Sequence, residues 1–185
     1  RFQKIIYMSS NVVYGDENDG LCAIDFPVVG SDIYSRLKIG NERTVLDSGG
    51  CVVRLANLFG VGMSTNNVMS DIIAQIPGEG PLLVRDDSPI RDFLSVSDAV
   101  SALGQIVERD ITGIVNVGSG IGTSINTLAK LLLAAVSQEN REIVATKPSS
   151  RLSKIVLDVS DTVKAIDWAP SPSLQGQLKK YLEAR

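Results

Sequence analysis

Lys4-Ile5-Ile6-Tyr7-Met8-Ser9-Ser10, Ser31-Asp32-Ile33-Tyr34-Ser35-Arg36-Leu37-Lys38 and Gly49-Gly50-Cys51-Val52-Val53-Arg54-Leu55 follow one another near the start of the chain. The first is a short apolar run closed by two serines. It is continuous rather than alternating, as in a parallel strand covered on both faces. Ser31 or Asp32 predicts an N-cap for a helix running to about Asp47, and Gly49-Gly50 stops it. Cys51 to Leu55 reads as a second buried strand. Strand, helix, strand at this spacing is a βαβ unit with a right-handed crossover.

Working outward, Asn57-Leu58-Phe59-Gly60 reads as a loop at the end of that strand. Asn66 to Ile76 is helical, with Val68, Ile72, Ile73 and Ile76 on one side. Pro81–Val84 and Phe93–Val96 read as short strands. Ser97 is expected to cap a helix whose buried stripe is Val100, Leu103, Ile106 and Val107. Ile114–Val117 reads as a strand, and Thr123 or Ser124 caps an apolar helix through Val136. Residues 143–159 are mixed, with strand-like Ile143-Val144-Ala145 and Ile155-Val156-Leu157. Pro172-Ser173 opens a final helix carrying Leu174, Leu178 and Leu182. Alternating strands and helices make this an α/β chain.

Composition narrows the function classes. The 185 residues are 44% hydrophobic and 21% charged, with a formal net charge of −3, an ordinary soluble globular balance. Histidine is absent, which removes Ser-His-Asp and Cys-His catalysis, histidine bases and histidine metal sites. The two cysteines, Cys22 and Cys51, are too few for a Cys-x-x-Cys site and read as reduced thiols of a cytoplasmic protein. No apolar run approaches ~18 residues. The 18 basic residues are scattered and outnumbered by 21 acidic ones, so neither a membrane nor nucleic acid is the expected partner. The opening Arg1-Phe2-Gln3 enters a strand-like run at once, without an initiator methionine, and the expectation is the later part of something longer. The one locally biased segment is the acidic turn Asp16-Glu17-Asn18-Asp19-Gly20.

Tyr34 and Lys38 carry the sharpest chemical signal. At i and i+4 they share a helical face. A phenol is a poor base at neutral pH, and an ammonium one turn away favours its phenolate, so the pair can exchange protons with a substrate hydroxyl or carbonyl oxygen. Ser10 stands where a buried strand ends, the region in which open parallel sheets bind ligands, and it can address the same oxygen. As structural alternatives, Tyr34 and Lys38 are chance neighbours on an exposed helix and Ser10 is a turn residue.

Together these residues resemble the extended short-chain dehydrogenase/reductase family, and within it the nucleotide-sugar epimerases. The Ser…Tyr-x-x-x-Lys triad of that family maps onto Ser10, Tyr34 and Lys38. Arg54-Leu55-Ala56-Asn57-Leu58-Phe59-Gly60 resembles the strand-end loop whose asparagine touches the sugar nucleotide. Asn66-Asn67-Val68-Met69 resembles the helix start that meets the diphosphate. Ile90-Arg91-Asp92-Phe93-Leu94-Ser95-Val96-Ser97-Asp98 resembles the block whose arginine binds phosphate. Asn116-Val117-Gly118-Ser119-Gly120 and Asp167-Trp168-Ala169-Pro170 resemble later landmarks.

The resemblance implies a Rossmann-type parallel sheet in which residues 1–62 are the later part of the NAD-binding domain. Residues 63–185 are mainly the nucleotide-sugar-binding portion, with 97–117 returning to the sheet. It implies catalytic roles for Ser10, Tyr34 and Lys38, NAD contacts by Tyr34, Lys38 and Leu55, and substrate contacts by Ser10, Asn57, Asn67 and Arg91. No metal is implied. The implied reaction is NAD-dependent epimerisation of a nucleotide-diphosphate sugar through a transient keto intermediate, in a cytoplasmic homodimer with the 31–48 helix as a contact. A related reductase or dehydratase is the alternative. The 4,6-dehydratases place an Asp-Glu pair just before Val-Tyr-Gly, whereas the corresponding stretch here is Ser10-Asn11-Val12, without a carboxylate. An alternative of another class is a non-catalytic fragment that binds a sugar nucleotide or a partner subunit.

Two features depart from the family. No glycine-rich βα turn for the NAD pyrophosphate precedes Ser10. Gly118-Ser119-Gly120-Ile121-Gly122 mimics one, but position 123 is Thr, and the expectation is a tight turn in the substrate-binding part. Arg151 and Lys154 are candidates for a second phosphate contact, Leu82 and Val84 for the nucleotide-base pocket or the core.

Overall fold

A computed structural model describes residues 4–184. The Arg1-Phe2-Gln3 part of the opening run lies outside the described residues. The chain runs β1 (Ile6–Ser10), a 3-10 turn (Asn11–Tyr14), α1 (Ile33–Asp47), β2 (Cys51–Leu55), β3 (Asn57–Phe59), α2 (Val68–Gln75), β4 (Leu82–Val84), β5 (Ile90–Ser95), α3 (Val96–Glu108), β6 (Gly113–Val117), β7 (Gly122–Ser124), α4 (Ile125–Ala135), β8 (Ile143–Ala145), β9 (Lys154–Ile155), α5 (Ser160–Ile166) and α6 (Leu174–Glu183).

The expected βαβ unit is present. β1 and β2 are parallel, and β6 joins β2 in the same direction. Ser10 lies opposite Leu55, and Leu55 opposite Val117, so all three strands end at one level. This is the Rossmann-type arrangement, with β1 at an edge among the described residues. The chain then continues past Ala56 into β3, which pairs in parallel with β5; β5 is antiparallel to β7 and parallel to β9. β4 and β8 form a separate parallel pair.

Two apolar cores follow from this division. One surrounds the three-stranded sheet and includes Val53, Leu94, Ile106, Val117, Leu157 and Ile166. The other lies among α2, β4, α4 and α6 and includes Ile72, Leu82, Leu128, Leu132 and Leu178. Each such fully buried side chain contributes roughly 1.5–3 kcal/mol relative to exposure. Leu82 and Val84 belong to this second core.

The structure corrects several expectations. The α3 cap is Ser95, not Ser97: its Oγ accepts from the Asp98 N–H at 3.1 Å. The buried face of α3 is Ala99, Ala102 and Ile106, while Val100 and Val107 are 61% and 58% exposed. Small alanines let the helix approach the sheet closely, and the larger valines fall on the outer side. Asn57–Phe59 is a strand rather than a loop, because its backbone pairs with Phe93–Ser95. Strand β9 is only two residues long, and Leu157 makes an isolated bridge to Cys22 instead. The short helix α5 has no side-chain cap, so no N-cap residue announces it.

Candidate active site

The level ends of β1, β2 and β6 make the floor of the site. Ser10 leaves β1 in extended conformation and caps the following 3-10 turn, its Oγ accepting from the Val12 N–H at 3.4 Å. Asn11, next in line, is 2% exposed, and its Nδ2 is a buried donor without a partner among the described residues.

Helix α1 carries Tyr34 and Lys38 one turn apart. Asp32 caps the helix and Ser35 reciprocates, a capping box that sets where the first turn begins. The Ser35 N–H, first among the causes, holds the Asp32 carboxyl below its ordinary value. Lys38 Nζ donates to the Met8 carbonyl at 2.7 Å. The same ammonium sits 4.8 Å from the Tyr7 ring centroid and 5.5 Å from the Tyr34 ring centroid. Tyr34 is 53% exposed, so its phenol is open to a ligand. The structure thus pairs Lys38 with Tyr34 and with the Met8 carbonyl of β1, and sets Ser10 opposite Leu55 at the carboxyl ends of β1 and β2.

Behind this face lies a buried polar network that sequence reasoning missed. Glu42, one turn beyond Lys38, accepts Arg54 Nη2 at 2.8 Å and Arg54 Nε at 3.2 and 3.3 Å, and also the Ser9 hydroxyl. Arg54 Nη1 donates to Tyr14 Oη at 2.9 Å and to the Ile24 carbonyl at 3.1 Å. Tyr14 donates to Asn116 Oδ1 at 2.8 Å, and Asn116 Nδ2 reaches the carbonyls of Cys22 and Asp158 at 2.8 and 3.1 Å. Burial alone disfavours the Arg54 cation, but Glu42 and Tyr14 outweigh it and hold its pKa above the ordinary value. Burial pushes the Tyr14 phenol up, against the pull of Arg54. One signal was available: Arg54 is the only charge in an otherwise apolar strand, and a buried charge demands a partner.

Asn57 and Asn67 line one cleft of ≈ 350 Å³, together with Leu58, Met69 and Phe93. Asn57 Nδ2 donates to the Asp92 carbonyl at 3.1 Å. Asn67 caps α2, accepting from the Ser70 N–H at 3.0 Å and donating to the Ser64 carbonyl. A larger cavity of ≈ 470 Å³ lies against α6, lined by residues such as Phe59, Val96 and Tyr181. None of the seven sequence-predicted site residues lines it.

The glycine turn 118–122 holds an anion, but an internal one. Asp92, fully buried, accepts from the Ser119 N–H at 2.8 Å, the Ser119 hydroxyl at 2.6 Å, the Gly120 N–H at 3.1 Å and the Leu157 N–H at 3.3 Å. Gly120 has φ +71°, and a Cβ on Gly118 would stand 2.5 Å from Asp92 Oδ2. Burial raises the Asp92 pKa, and these donors oppose the rise. Arg91, its neighbour, makes no ion pair with it. Arg91 Nη1 donates to the Ser153 carbonyl at 2.9 Å and Nη2 to Ser153 Oγ at 2.8 Å, while Asp16 Oδ2 lies 3.8 Å away. Arg151, also beside Asp16, brings a second guanidinium to the cluster. Burial lowers the Arg91 pKa, and Asp16 counters it.

Comparison with known proteins agrees with this architecture. A family model described as "NAD dependent epimerase/dehydratase family" matches residues 1–118. The low-salt glycan biosynthesis protein Agl12 of Haloferax volcanii is 26% identical over 189 residues, covering 97% of this chain and 61% of that protein. The dTDP-L-rhamnose 4-epimerase of Burkholderia thailandensis is 25% identical over 141 residues, covering 71% of this chain and 39% of that protein. The chain therefore spans less than two thirds of the length of these curated relatives. Among solved structures, UDP-glucose 4-epimerase of Thermotoga maritima with UDP-glucose superposes with a TM-score of 0.84 at 25% identity, covering 98% of this chain and 62% of that one. RMD from Pseudomonas aeruginosa complexed with NADPH superposes at 0.88 with 24% identity, covering 96% and 65%, which speaks for the fold. No helix among the described residues is long and apolar enough to cross a membrane. With more than half of its residues matched, the chain belongs to the NAD dependent epimerase/dehydratase family.

Proposed function

We propose that these residues serve the NAD-dependent epimerisation of a nucleotide-diphosphate sugar through a transient keto intermediate. The observation that carries the reading is the Lys38 ammonium, 5.5 Å from the centroid of the exposed Tyr34 ring and bonded to the Met8 carbonyl two residues before β1 ends in Ser10. Tyr34 takes the proton from a sugar hydroxyl and returns it. Ser10 donates to that oxygen as it becomes a carbonyl. Lys38 keeps a positive charge beside the phenol.

The donor set fits the nicotinamide end of NAD: Tyr34 and Lys38 would hold its ribose, with Leu55 as an apolar contact. Bound there, NAD supplies reversible uptake of a carbon-bound hydrogen. The 118–122 turn does not fit the pyrophosphate, because the Asp92 carboxylate already uses the Ser119 and Gly120 amides.

On the substrate side, Asn57 and the α2 N-terminus at Asn67 orient the polar sugar and diphosphate, and Arg91 meets phosphate oxygens as a planar cation. The core among α2, β4, α4 and α6 supports a sugar-nucleotide side within 63–185 beside a sheet side of 1–62 with 97–117, while Leu94, Leu157 and Ile166 of the later portion pack in the sheet-side core. The same reading carries a cytoplasmic homodimer. The exposed Ile33 and Leu37 on α1 support the contact, and free Cys22 and Cys51 suit that compartment.

Asn11-Val12 supports epimerase over dehydratase chemistry, since elimination needs an added acid and base there. Tyr34→Phe, assayed in the complete gene product with UDP-sugars, is expected to lower kcat by about two to four decades, the usual worth of a proton-transfer group. Near-normal turnover removes Tyr34 from the mechanism. Net consumption of reduced cofactor would favour a reductase. The second reading, of another class, is non-catalytic binding of a sugar nucleotide or a partner subunit. Calorimetric titration of the chain separates them: UDP-glucose binding without NAD binding supports the second.

A further inference from the structure

Resting on the reading that Arg91 meets a diphosphate, we infer that Asp16 is the charge-selecting residue of that subsite. It is an internal carboxylate that occupies two guanidinium groups until a more highly charged anion replaces it. The acidic turn 16–20 leads directly out of the Ser10–Gly15 segment and folds against residues 151–154. Asp16 Oδ2 accepts from Arg151 Nη2 at 2.7 Å and Ser153 Oγ at 2.8 Å, and it lies 3.8 Å from Arg91 Nη2. Glu17 takes the other arm of Arg151 at 2.6 Å. The cluster is therefore locally neutral, two cations against two carboxylates.

Three observations make the Asp16 contact exchangeable. First, the cluster is within reach of solvent: the side chains of Arg91, Asp16 and Arg151 are 22%, 30% and 57% exposed. Second, the turn keeps its seat without the carboxylate. The Lys154 N–H donates to the Asp16 carbonyl at 2.6 Å, and Asn18 Nδ2 spans the Gly15 and Lys154 carbonyls at 2.9 and 3.2 Å. Third, Ser153 holds Arg91 through its own carbonyl as well as its hydroxyl, so Arg91 stays aimed when Asp16 leaves. A monoanion gains nothing over the carboxylate already present. A diphosphate brings at least two charges, with several oxygens to meet the cationic groups of Arg91 and Arg151 that Asp16 vacates.

The test is calorimetric titration of the 185-residue chain with inorganic pyrophosphate and with UDP-glucose. Asp16→Asn and Asp16→Ser are each expected to bind both probes about fivefold more tightly, the effect of removing one like charge about 4 Å away when water screens it fully. The serine variant keeps a hydroxyl toward Ser153, so the pair separates charge from packing; circular dichroism checks the fold of each. Glu17→Gln, one step further out, is expected to change affinity less. Unchanged or weaker binding in both Asp16 variants overturns the inference, provided Arg91→Ala still weakens binding. If Arg91→Ala leaves binding untouched, the diphosphate reading itself falls. Absence of binding in every form overturns both.

Discussion

Arg54 and Arg91 both meet carboxylates in this chain, yet at different depths and with different consequences. The side chains of Arg54 and Glu42 are each 4% exposed and joined through two guanidinium nitrogens, with Tyr14, Ser9 and Ile24 taking up the remaining polar groups. Nothing is left over for a ligand. Arg91 shares Asp16 at 3.8 Å, keeps solvent contact and is aimed largely by one serine. Two arginines on neighbouring sheets thus illustrate a general distinction: complete internal pairing makes a cation architectural, and incomplete, exposed pairing leaves it available.

The sharpest way to break that comparison is to remove one partner from each pair. Glu42→Ala strands a buried guanidinium and is expected to cost about 3–5 kcal/mol in denaturant unfolding. Arg91→Ala, at a part-exposed pair, is expected to cost no more than ~1 kcal/mol. Equal losses would erase the distinction. The double replacement Glu42→Met with Arg54→Leu sharpens it: apolar side chains of similar volume should recover much of the stability lost by Glu42→Ala. An intermediate effect comes from Gly118→Ala. Its Cβ would press on Asp92 Oδ2, and overpacking of this kind costs about 1–3 kcal/mol.

The smallest effect lies at the α1 cap. Asp32 has a folded pKa below its ordinary 3.8, so it stabilises the fold above that pH and loses the contribution as pH falls through the lower folded value. Asp32→Ala should therefore reduce amide-exchange protection of α1 at neutral pH, and the difference from the parent should vanish in acid. A difference that persists in acid would mean that the capping carboxylate is not the cause.

Much of this molecule was legible from local pattern. The βαβ unit was readable because a continuous apolar run, a capped helix and a second run each carry their own signal within a dozen residues. Tyr34 and Lys38 were readable because one helical turn fixes their common face. The paired sites were harder, since Arg54 meets Glu42 from a different element and Asp16 meets Arg151 across more than a hundred residues. Only the lone charge in Cys51–Leu55 hinted at the first, and nothing local hinted at the second. Helix α3 differs for another reason: hydropathy ranks valine above alanine, whereas the small Ala99 and Ala102 are the residues that can sit against the sheet.

The adjoining serines that close β1 have a final implication. Successive residues of a strand point to opposite faces, so Ser9 turns inward to Glu42 while Ser10 caps the turn at the sheet edge. The duplication is not redundancy. A one-codon deletion between Tyr7 and Ser9 would exchange the two hydroxyls, sending the outer one into the interior. A saturation scan should accordingly give the two positions unlike tolerance profiles despite their identical side chains.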